Sequence, residues 1–385
     1  MRKILFGVKH SQALENVLSI AKYLDSNNEN YSLGVISFTR LGPEELKKIS
    51  RFNIEIIKIP EKFFIRRDEK KTRIKSFVKL LRFNKYLKTI EKEIIRNDAL
   101  IVSPGGFLLD HLLAFFASKN IQSYVLQSGF ISVNEKKQES KNLFSNVLSI
   151  FLNTFKIRRY LKEGDLVPIN LTFNNDYSVF LNNSSDESKI ALTVGSPRFS
   201  YNKVADDHKS SGVLYLGSSA LYENNQALHE MIKLQVVDLT KYLTLKNIKL
   251  SFRAHPRDPY DWSTYLKNYD INILDKNEDL EKQLNNHKFI VSERSTVVIQ
   301  AILQSKLGFW IHRDLKRIYN YEFIRCEDEE LLVETIESCN NDIKEYKKMH
   351  QNQLTIVRNK ILSSYGDDAC KNILNILDSN INKLK

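Results

Sequence analysis

Short runs of β-branched and aromatic residues alternate with longer stretches of helical periodicity along most of this chain. The alternation is typical of α/β domains, in which each strand of a parallel sheet is followed by a helix that crosses back over the sheet. In the first half we predict strands at 3–8, 32–38, 53–58, 98–103 and 121–127, and helices at 10–25, 43–50, 64–96, 106–118 and 141–161. In the second half we predict strands at 189–194, 213–217, 247–253, 270–274, 288–292 and 307–311, and helices at 222–243, 278–285, 295–304, 328–339, 341–363 and 367–382.

The length of 385 residues suits two domains of ordinary size. Residues 170–189 are rich in Asn, Ser and Asp, and we interpret them as a loose approach to the domain junction. We therefore predict a first domain at 1–185, a second at 186–365, and a C-terminal helix at 366–385 that could pack back on the first domain.

Composition limits the class of protein. The three cysteines, Cys326, Cys339 and Cys370, lack metal-site spacing and argue against a disulfide framework. No stretch reaches the roughly 18 uncharged apolar residues that a spanning helix needs. The segment Met1–Val8 is predicted to be a strand rather than a signal peptide. We expect a cytoplasmic protein, soluble or peripheral to a membrane.

The net charge of +12 is concentrated in the first half. Residues 1–190 hold 31 Lys and Arg against 20 Asp and Glu, and residues 61–100 alone hold 13 against 6. Apolar side chains interleave with these charges, as in a basic amphipathic helix on an anionic membrane surface. The same pattern is equally typical of a helix that packs on the protein's own core and exposes its lysines to solvent. Nucleic acid is not expected, because no helix-turn-helix, zinc-finger or RNP signature is present.

The segment Lys249–Pro259 contains the sharpest functional signal. His255 and Pro256 follow a β-prone run, and proline pushes the residue before it toward extended geometry. His255 should therefore stand at the carboxyl end of a strand, where open α/β sheets bind their ligands. Arg253 and Arg257 flank it, which suits an anionic ligand such as phosphate.

Three more loops follow predicted strands. Gly217, Ser218 and Ser219 form a turn in which backbone N–H and side-chain O–H groups can approach a phosphate, or an ordinary turn with a capping serine. In the second loop, Ser295 or Thr296 would cap the following helix, and Glu293 is placed to grip a ribose diol; a plain capped helix is the alternative. The third is the turn Val194–Arg198. Four such loops on one sheet edge predict a single phosphate-binding cleft.

Other nucleotide and metal signatures are missing from the sequence. There is no Gly-Lys-Ser/Thr phosphate loop, no Gly-x-Gly-x-x-Gly, no Gly-x-Ser-x-Gly and no Asp-x-Asp. We therefore expect neither a metal nor a bound cofactor.

The residues Ser251–Pro256, with Ser295 and Thr296 downstream, resemble the His-Pro and Ser-Ser/Thr motif pair of bacterial sialyltransferases, polysialyltransferases and capsular Kdo transferases. Val125–Phe130 is similar to the Leu-Gln-His-Gly strand end of capsule and teichoic-acid polymerases, with Ser128 in place of histidine. Val194–Arg198 resembles the Gly-x-Pro-Arg turn of the same enzymes. The resemblance implies a GT-B fold, two Rossmann-like domains with a cleft between them, in which both motifs hold the CMP part of a donor.

The chain departs from the sialyltransferase pattern at the general base. Those sialyltransferases carry an acidic triplet ending in glycine in the first domain, and this chain has none. Asp110, just after a predicted strand, is the best candidate to deprotonate an acceptor hydroxyl, although it could equally be a solvent-facing helix residue. The stereochemistry of transfer stays open as well.

The resemblance implies a metal-independent glycosyltransferase that moves an acidic sugar, of sialic, other nonulosonic or Kdo type, from a CMP-activated donor to a surface glycan or glycolipid. Its catalytic residues would be His255 and Asp110, and the basic half would dock at the inner face of the cell membrane. The donor-binding residues would be Gly217, Ser218, Ser219, Arg253, His255, Pro256, Glu293, Ser295 and Thr296. Alternatives are a CDP-glycerol- or UDP-sugar-dependent transferase of the same fold, a nucleotide-sugar epimerase, and a non-catalytic, membrane-peripheral partner in polysaccharide assembly.

Overall fold

The computed structural model describes residues 1–64, 73–104, 107–127, 168–182, 190–199, 212–222, 224–293, 295–311 and 322–384. The chain divides into two compact units. Unit 1 comprises Met1–Arg198 together with Leu362–Lys385, and unit 2 comprises Phe199–Ile361. Each unit is built on a parallel sheet.

Seven strands among the described residues form the sheet of unit 1: β1 Arg2–Val8, β2 Tyr31–Ser37, β3 Glu55–Ile57, β4 Ala99–Val102, β5 Gln122–Leu126, β6 Ile169–Thr172 and β7 Ile190–Thr193. Their order is β3-β2-β1-β4-β5-β6-β7, and every pair is parallel. The order reverses between β1 and β4. All four residues of β4 are buried, as expected for a strand covered by helices on both faces.

The helices of unit 1 before residue 199 are α1 Ser11–Ser26, α2 Pro43–Ser50, α3 Arg73–Thr89, α4 Glu91–Ile94, α5 Phe107–Ala117 and α6 Asn175–Asn182, and a 3-10 turn spans Glu61–Phe63. Side chains of α1 pack against Ile4 and Phe6 on one face of the sheet. Helices α3 and α5 cover Leu5 and its neighbours on the other face. A Cβ at Gly7 would lie 3.1 Å from Leu109 Cδ2, so glycine allows α5 to approach β1 closely.

Six strands among the described residues form the sheet of unit 2: β8 Val213–Leu216, β9 Leu250–Arg253, β10 Ile271–Leu274, β11 Phe289–Ser292, β12 Leu307–Ile311 and β13 Arg325–Cys326. Their order is β10-β9-β8-β11-β12-β13, again all parallel. The helices are α7 Gln226–Leu245, α8 Trp262–Leu266, α9 Leu280–Asn285, α10 Val297–Leu303, α11 Glu329–Asn341 and α12 Ile343–Ile356, and a π-helical turn spans Val357–Ile361.

The last helix, α13 Asp367–Leu384, belongs to unit 1. Its side chains Cys370, Ile373 and Leu377 lie in the same core as α1. The chain returns beside the turn at Gly195, whose φ is +83° and whose Cβ, if present, would lie 2.1 Å from the Ser364 carbonyl oxygen. Only glycine therefore lets the chain leaving the first sheet and the chain returning to it run side by side.

Each strand and helix that we predicted within the described residues is present, with shifts at the ends. The predicted helix at 64–96 is divided, within its described part, into α3 and α4. The predicted helix at 141–161 lies outside the described residues.

The segment 170–189 differs from the prediction. Instead of a loose junction, its described part contains the end of β6 and helix α6. The Asn182 carboxamide accepts the Ala191 N–H at 2.8 Å and donates to the Ala191 carbonyl at 3.1 Å, so it bonds to β7 as a neighbouring strand would. Strand β7, which we had assigned to the second domain, consequently pairs with β6 in unit 1.

Candidate functional site

The order of the second sheet reverses at β8, which lies between β9 and β11. Ligands of open α/β sheets bind outside the carboxyl ends of strands at such a reversal. Leu216 pairs in register with Arg253 on one side and with Ser292 on the other. The loops after these three strands therefore leave the sheet side by side, and they contain the predicted residues 217–219, 255–256 and 293–296.

The fourth predicted loop does not join them. The turn Val194–Arg198 belongs to unit 1, where the Ser196 N–H donates to the Ser364 carbonyl at 3.0 Å. The Arg198 side chain is 7% exposed, and its guanidinium lies 3.6 Å from the Glu15 carboxylate. Burial lowers the pKa of Arg198, and Glu15 opposes that shift. This turn helps to close unit 1, so the prediction of four loops on one edge was wrong.

The loop after β8 keeps its backbone close to β9. The Gly217 N–H donates to the Arg253 carbonyl at 2.9 Å, and a Cβ at Gly217 would lie 3.1 Å from the Phe252 ring. The Ser218 hydroxyl is buried and has no hydrogen-bond partner among the described residues. Buried polar groups in proteins are normally satisfied by protein, water or ligand. The Ser218 hydroxyl can therefore form a hydrogen bond with a ligand. Ser219 beside it is 9% exposed.

The loop after β9 fixes the state of the His255 ring. Its Nδ1 accepts the backbone N–H of Arg257 at 3.1 Å, and its carbonyl accepts the Asp258 N–H at 2.8 Å. Because Nδ1 accepts, the neutral ring carries its proton on Nε2. His255 is therefore oriented as an Nε2–H donor, and Pro256 and Arg257 beyond it are exposed.

Buried contacts hold this loop in place. Asp258, which is 1% exposed, accepts the Trp262 indole N–H at 2.8 Å and the Tyr260 backbone N–H at 3.2 Å. The Lys276 ammonium donates to the Asp258 carbonyl at 2.8 Å. Since a buried carboxylate without such partners would be costly, the network sets the geometry of the whole His-Pro turn.

Arg253 anchors the end of its strand by hydrogen bonds to backbone carbonyls. Its guanidinium donates to the carbonyls of Lys276 and Glu278, both at 2.9 Å, and the residue is 7% exposed. Burial also lowers the pKa of Arg253. The side chain ties the end of β9 to the loop after β10 through Nη2. Its Nη1 has no hydrogen-bond partner among the described residues, and binding of a phosphate by Arg253 stays a prediction. Arg257, whose guanidinium lies 5.8 Å from the Tyr222 ring centre, is the exposed cation of this loop.

The loop after β11 is closed by its serines. The Ser292 hydroxyl donates to the Leu216 carbonyl at 2.9 Å and accepts the Ser295 N–H at 3.2 Å. Ser295, rather than Thr296, caps the following helix, because its hydroxyl accepts the Val297 N–H at 3.2 Å. These bonds join the loop after β11 to the end of β8.

Glu293 is almost completely buried, with 1% exposure. After burial itself, the nearby Glu293 charge is the largest influence that raises the pKa of the Tyr215 phenol well above its usual range. The Tyr215 hydroxyl donates to the Gln235 side-chain oxygen at 3.0 Å. The carboxylate therefore lies in the interior beneath the loops, and contact with a ribose stays a prediction.

The first sheet has its own reversal, between β1 and β4, and Asp110 lies in the first turn of the helix that follows β4. Its side chain is exposed, yet desolvation by the surrounding protein raises the pKa of the carboxyl, and Lys9 acts against that shift. A raised carboxyl pKa favours proton acceptance near neutral pH.

His10, which sequence reasoning did not single out, follows β1 at the same edge. Its Nδ1 accepts the Ala13 N–H at 3.2 Å and caps α1. Because β1 and β4 are paired neighbours, the loops that carry His10 and Asp110 start from adjacent strand ends. The available signal was a histidine two residues after the first predicted strand. Ser128, the other first-half candidate, lies outside the described residues.

Within the described ranges, no group of three His, Cys, Asp or Glu side chains is arranged to hold a metal ion. Metal independence stays a prediction. Among the described helices, none combines the length and the hydropathy that crossing a membrane requires.

Comparison with known proteins supports the fold. No family model matches the sequence, and no curated protein matches it. A glycosyltransferase from Rickettsia africae ESF-5 is similar in structure, with a TM-score of 0.61, 14% identity and 98% coverage of both chains. Phytolacca americana UGT2, complexed with UDP-2-fluoro-glucose and pterostilbene, has a TM-score of 0.59, 11% identity and coverage of 99% of this chain and 100% of its own. S. aureus MnaA, in a co-structure with UDP, has a TM-score of 0.58, 13% identity and coverage of 99% and 97%.

These similarities extend over nearly the whole chain at low identity, so they establish architecture. The predicted fold class is confirmed: the chain has the GT-B fold, with two parallel-sheet α/β domains.

Proposed function

We propose that the protein is a glycosyltransferase that takes a sugar from a nucleotide-activated donor. The observation that carries the proposal is the convergence of three loops at the strand-order reversal of the second sheet. Together they offer a glycine backbone at 217, the unsatisfied Ser218 hydroxyl and the His255 Nε2–H. Hydrogen-bond donors of this kind, with Arg257 exposed in the same loop, suit the phosphates of a nucleotide.

In the reaction, the glycosidic bond to the donor phosphate breaks and an acceptor oxygen forms a new bond to the anomeric carbon. The leaving phosphate gains negative charge, which the His255 and Ser218 donors would stabilise. Asp110 would accept the proton of the acceptor hydroxyl, since its pKa is raised toward the working range of a general base. His10, at the neighbouring strand end, is the second candidate for this proton transfer.

For the donor, we favour a UDP-activated sugar. Structures similar to this chain hold UDP, UDP-2-fluoro-glucose or thymidine diphosphate, and those are pyrimidine diphosphates. The second candidate is a CMP-activated acidic sugar of sialic, nonulosonic or Kdo type, which the motif around His255 and the pair Ser295 and Thr296 supports. The acceptor would be a surface glycan or glycolipid, and the basic first half would hold the enzyme at the inner face of the membrane.

Nucleotide-dependent thermal stabilisation tests the site. A ligand at 100 times its Kd stabilises the folded state by about 2.7 kcal/mol, which raises Tm measurably. We expect UDP to raise the Tm of the wild type more than CMP or CDP does, and His255→Ala to lose most of that rise. Lys241→Ala is the matched control, because Lys241 is an exposed residue near the far end of α7.

Undiminished stabilisation of His255→Ala would refute the site. If no nucleotide stabilises the wild type, the non-catalytic role in polysaccharide assembly is favoured instead. Incubation with UDP-, CDP- and CMP-activated donors, with detection of the released nucleotide, then identifies the donor class. If CMP stabilises the wild type more than UDP does, and the CMP-activated donor is the one consumed, the second candidate is correct.

A further inference from the structure

A pocket in unit 1 lies between α3, α4 and α5. It has a volume of about 180 Å³. Its polar lining consists of Asn84, Lys88, Glu91, His111, Ser118 and Lys119. Helix α5 starts at the carboxyl edge of the sheet and its 11 residues extend about 16 Å. Ser118 and Lys119 come after its last turn, so the pocket extends along α5 from His111, the residue after Asp110, to beyond the end of the helix.

The floor of the pocket offers hydrogen-bond donors. His111 is 9% exposed, and its Nε2 lies 3.2 Å from the Asn84 Oδ1. A carboxamide oxygen only accepts, so Nε2 carries the proton of that bond. The Asn84 amide nitrogen makes no hydrogen bond within the described part of the chain, and its two N–H groups are available to a ligand.

The charges of the pocket favour an anion. Lys119 forms an ion pair with Glu91, and its ammonium lies 5.7 Å from the Phe115 ring centre. Lys88 is exposed and has neither an ion pair nor a hydrogen bond among the described residues. Two ammonium groups against one carboxylate leave the pocket positive, with Lys88 as the uncompensated charge. A phosphate group matches this combination of cation and amide donors.

The helix that carries Lys88 also presents an apolar side chain beside cations. Leu81 is 45% exposed, and Lys85 and Lys88 follow it at spacings of four and three, on the same side of α3. The buried side of α3, with Phe83 and Leu87, packs into the core of unit 1. A helix face with an exposed leucine and unpaired cations is typical of contact with an anionic membrane surface.

We propose that this pocket binds the phosphate of an anionic phospholipid headgroup. Lys88 and Asn84 would contact the phosphate oxygens, and Leu81 would enter the interfacial region of the bilayer. The inference depends on the membrane part of the proposed function and is independent of its donor chemistry. Vesicle binding is measured without turnover, so the failure of one proposal is distinguishable from the failure of the other.

The test is sedimentation of the full chain with phosphatidylcholine vesicles that contain or lack phosphatidic acid. We expect the wild type to bind only the anionic vesicles. Lys88→Glu should lower the partition coefficient by at least about tenfold. Asn84→Ala leaves the charge unchanged and should lower it by about threefold through the lost hydrogen bond. Lys22→Glu, the same charge reversal at an exposed position of α1, should lower it by less than about twofold.

Thermal denaturation of each variant first establishes that it is folded. Equal losses for Lys22→Glu and Lys88→Glu would mean that only the overall charge attracts the protein, and would overturn the pocket. Full binding by folded Asn84→Ala would do the same. If inorganic phosphate raises Tm at constant ionic strength while the anionic vesicles do not bind, the ligand is free phosphate and the lipid assignment is wrong.

Discussion

The two units place different chemistry at equivalent positions of similar sheets. In unit 2, the loops at the strand-order reversal are tied down by buried contacts, from Asp258 beneath the His-Pro turn to Ser292 between the other two loops. In unit 1, the corresponding edge presents an exposed carboxyl at Asp110 with a raised pKa. The difference corresponds to the two roles that we propose, nucleotide binding in unit 2 and proton transfer in unit 1.

The largest expected effect separates these two roles. Asp110→Asn removes the proton acceptor, so turnover should fall by about 10²–10⁴-fold while UDP still raises Tm as in the wild type. Released nucleotide and thermal shift measure the two quantities on the same sample. His10→Ala is the companion variant. If His10→Ala loses the activity and Asp110→Asn keeps it, His10 is the base and our assignment is wrong.

A second comparison uses a glycine in each sheet. A Cβ at Gly308 of β12 would lie 2.8 Å from the backbone oxygen of Val298, whereas the three atoms nearest to a Cβ at Gly7 of β1 belong to the side chains of Val102, Leu109 and Leu112. Backbone cannot yield as a side-chain end can, so Gly308→Ala should cost about 1–3 kcal/mol and Gly7→Ala less. Urea denaturation of both variants measures this. A larger loss for Gly7→Ala would show that the packing of α5 on β1 is the tighter of the two.

The smallest expected effect is a pH dependence that arises from three histidines of unit 2. Burial lowers the pKa values of His229, His287 and His350 below the usual value near 6.5. As the pH falls, the unfolded state therefore binds protons before the folded state does. The contribution of these histidines to the free energy of unfolding is complete above about pH 6.5 and is lost as the pH drops toward the folded pKa values. Each histidine contributes at most about 1.4 kcal/mol per pH unit.

Tryptophan fluorescence reports this effect, because Trp262 and Trp310, the two tryptophans of the sequence, both belong to unit 2. We expect the urea concentration at the midpoint of the fluorescence transition to decrease as the pH is lowered from about 7.5 to about 5.5. The urea midpoint should depend less steeply on pH in His287→Gln, because glutamine does not titrate. A midpoint that is constant over this range, or a slope unchanged in His287→Gln, would contradict the prediction.

Much of the site in unit 2 was predictable because each of its loops follows a strand that is recognisable on its own. Pro256 marks the end of β9, and Gly217 the end of β8, by local backbone chemistry. The anchoring bonds of Arg253 were not predictable, because its partners, the carbonyls of Lys276 and Glu278, come from a strand connection more than twenty residues away. The position of Arg253 two residues before His255 does not reveal which backbone carbonyls its guanidinium will contact.

The segment 170–189 shows the reverse error. Asn and Ser favour turns when only local preferences act. Here the Asn182 carboxamide finds its partner in Ala191, and β6 is held between β5 and β7. Tertiary pairing outweighed the local preference, and for the same reason β7 joined unit 1.

By itself, the sequence determined the alternation of strands and helices, the parallel class of the sheets and the position of His255 after a strand, because these depend on the period of apolar residues and on proline and glycine. Tertiary structure alone decided which strand ends are neighbours. It thereby brought the loops of Ser218, His255 and Ser295 together, sent Val194–Arg198 to the other unit, and gave Asp110 and His10 adjacent starting points. Strand order depends on contacts between distant parts of the chain, and no local pattern encodes it.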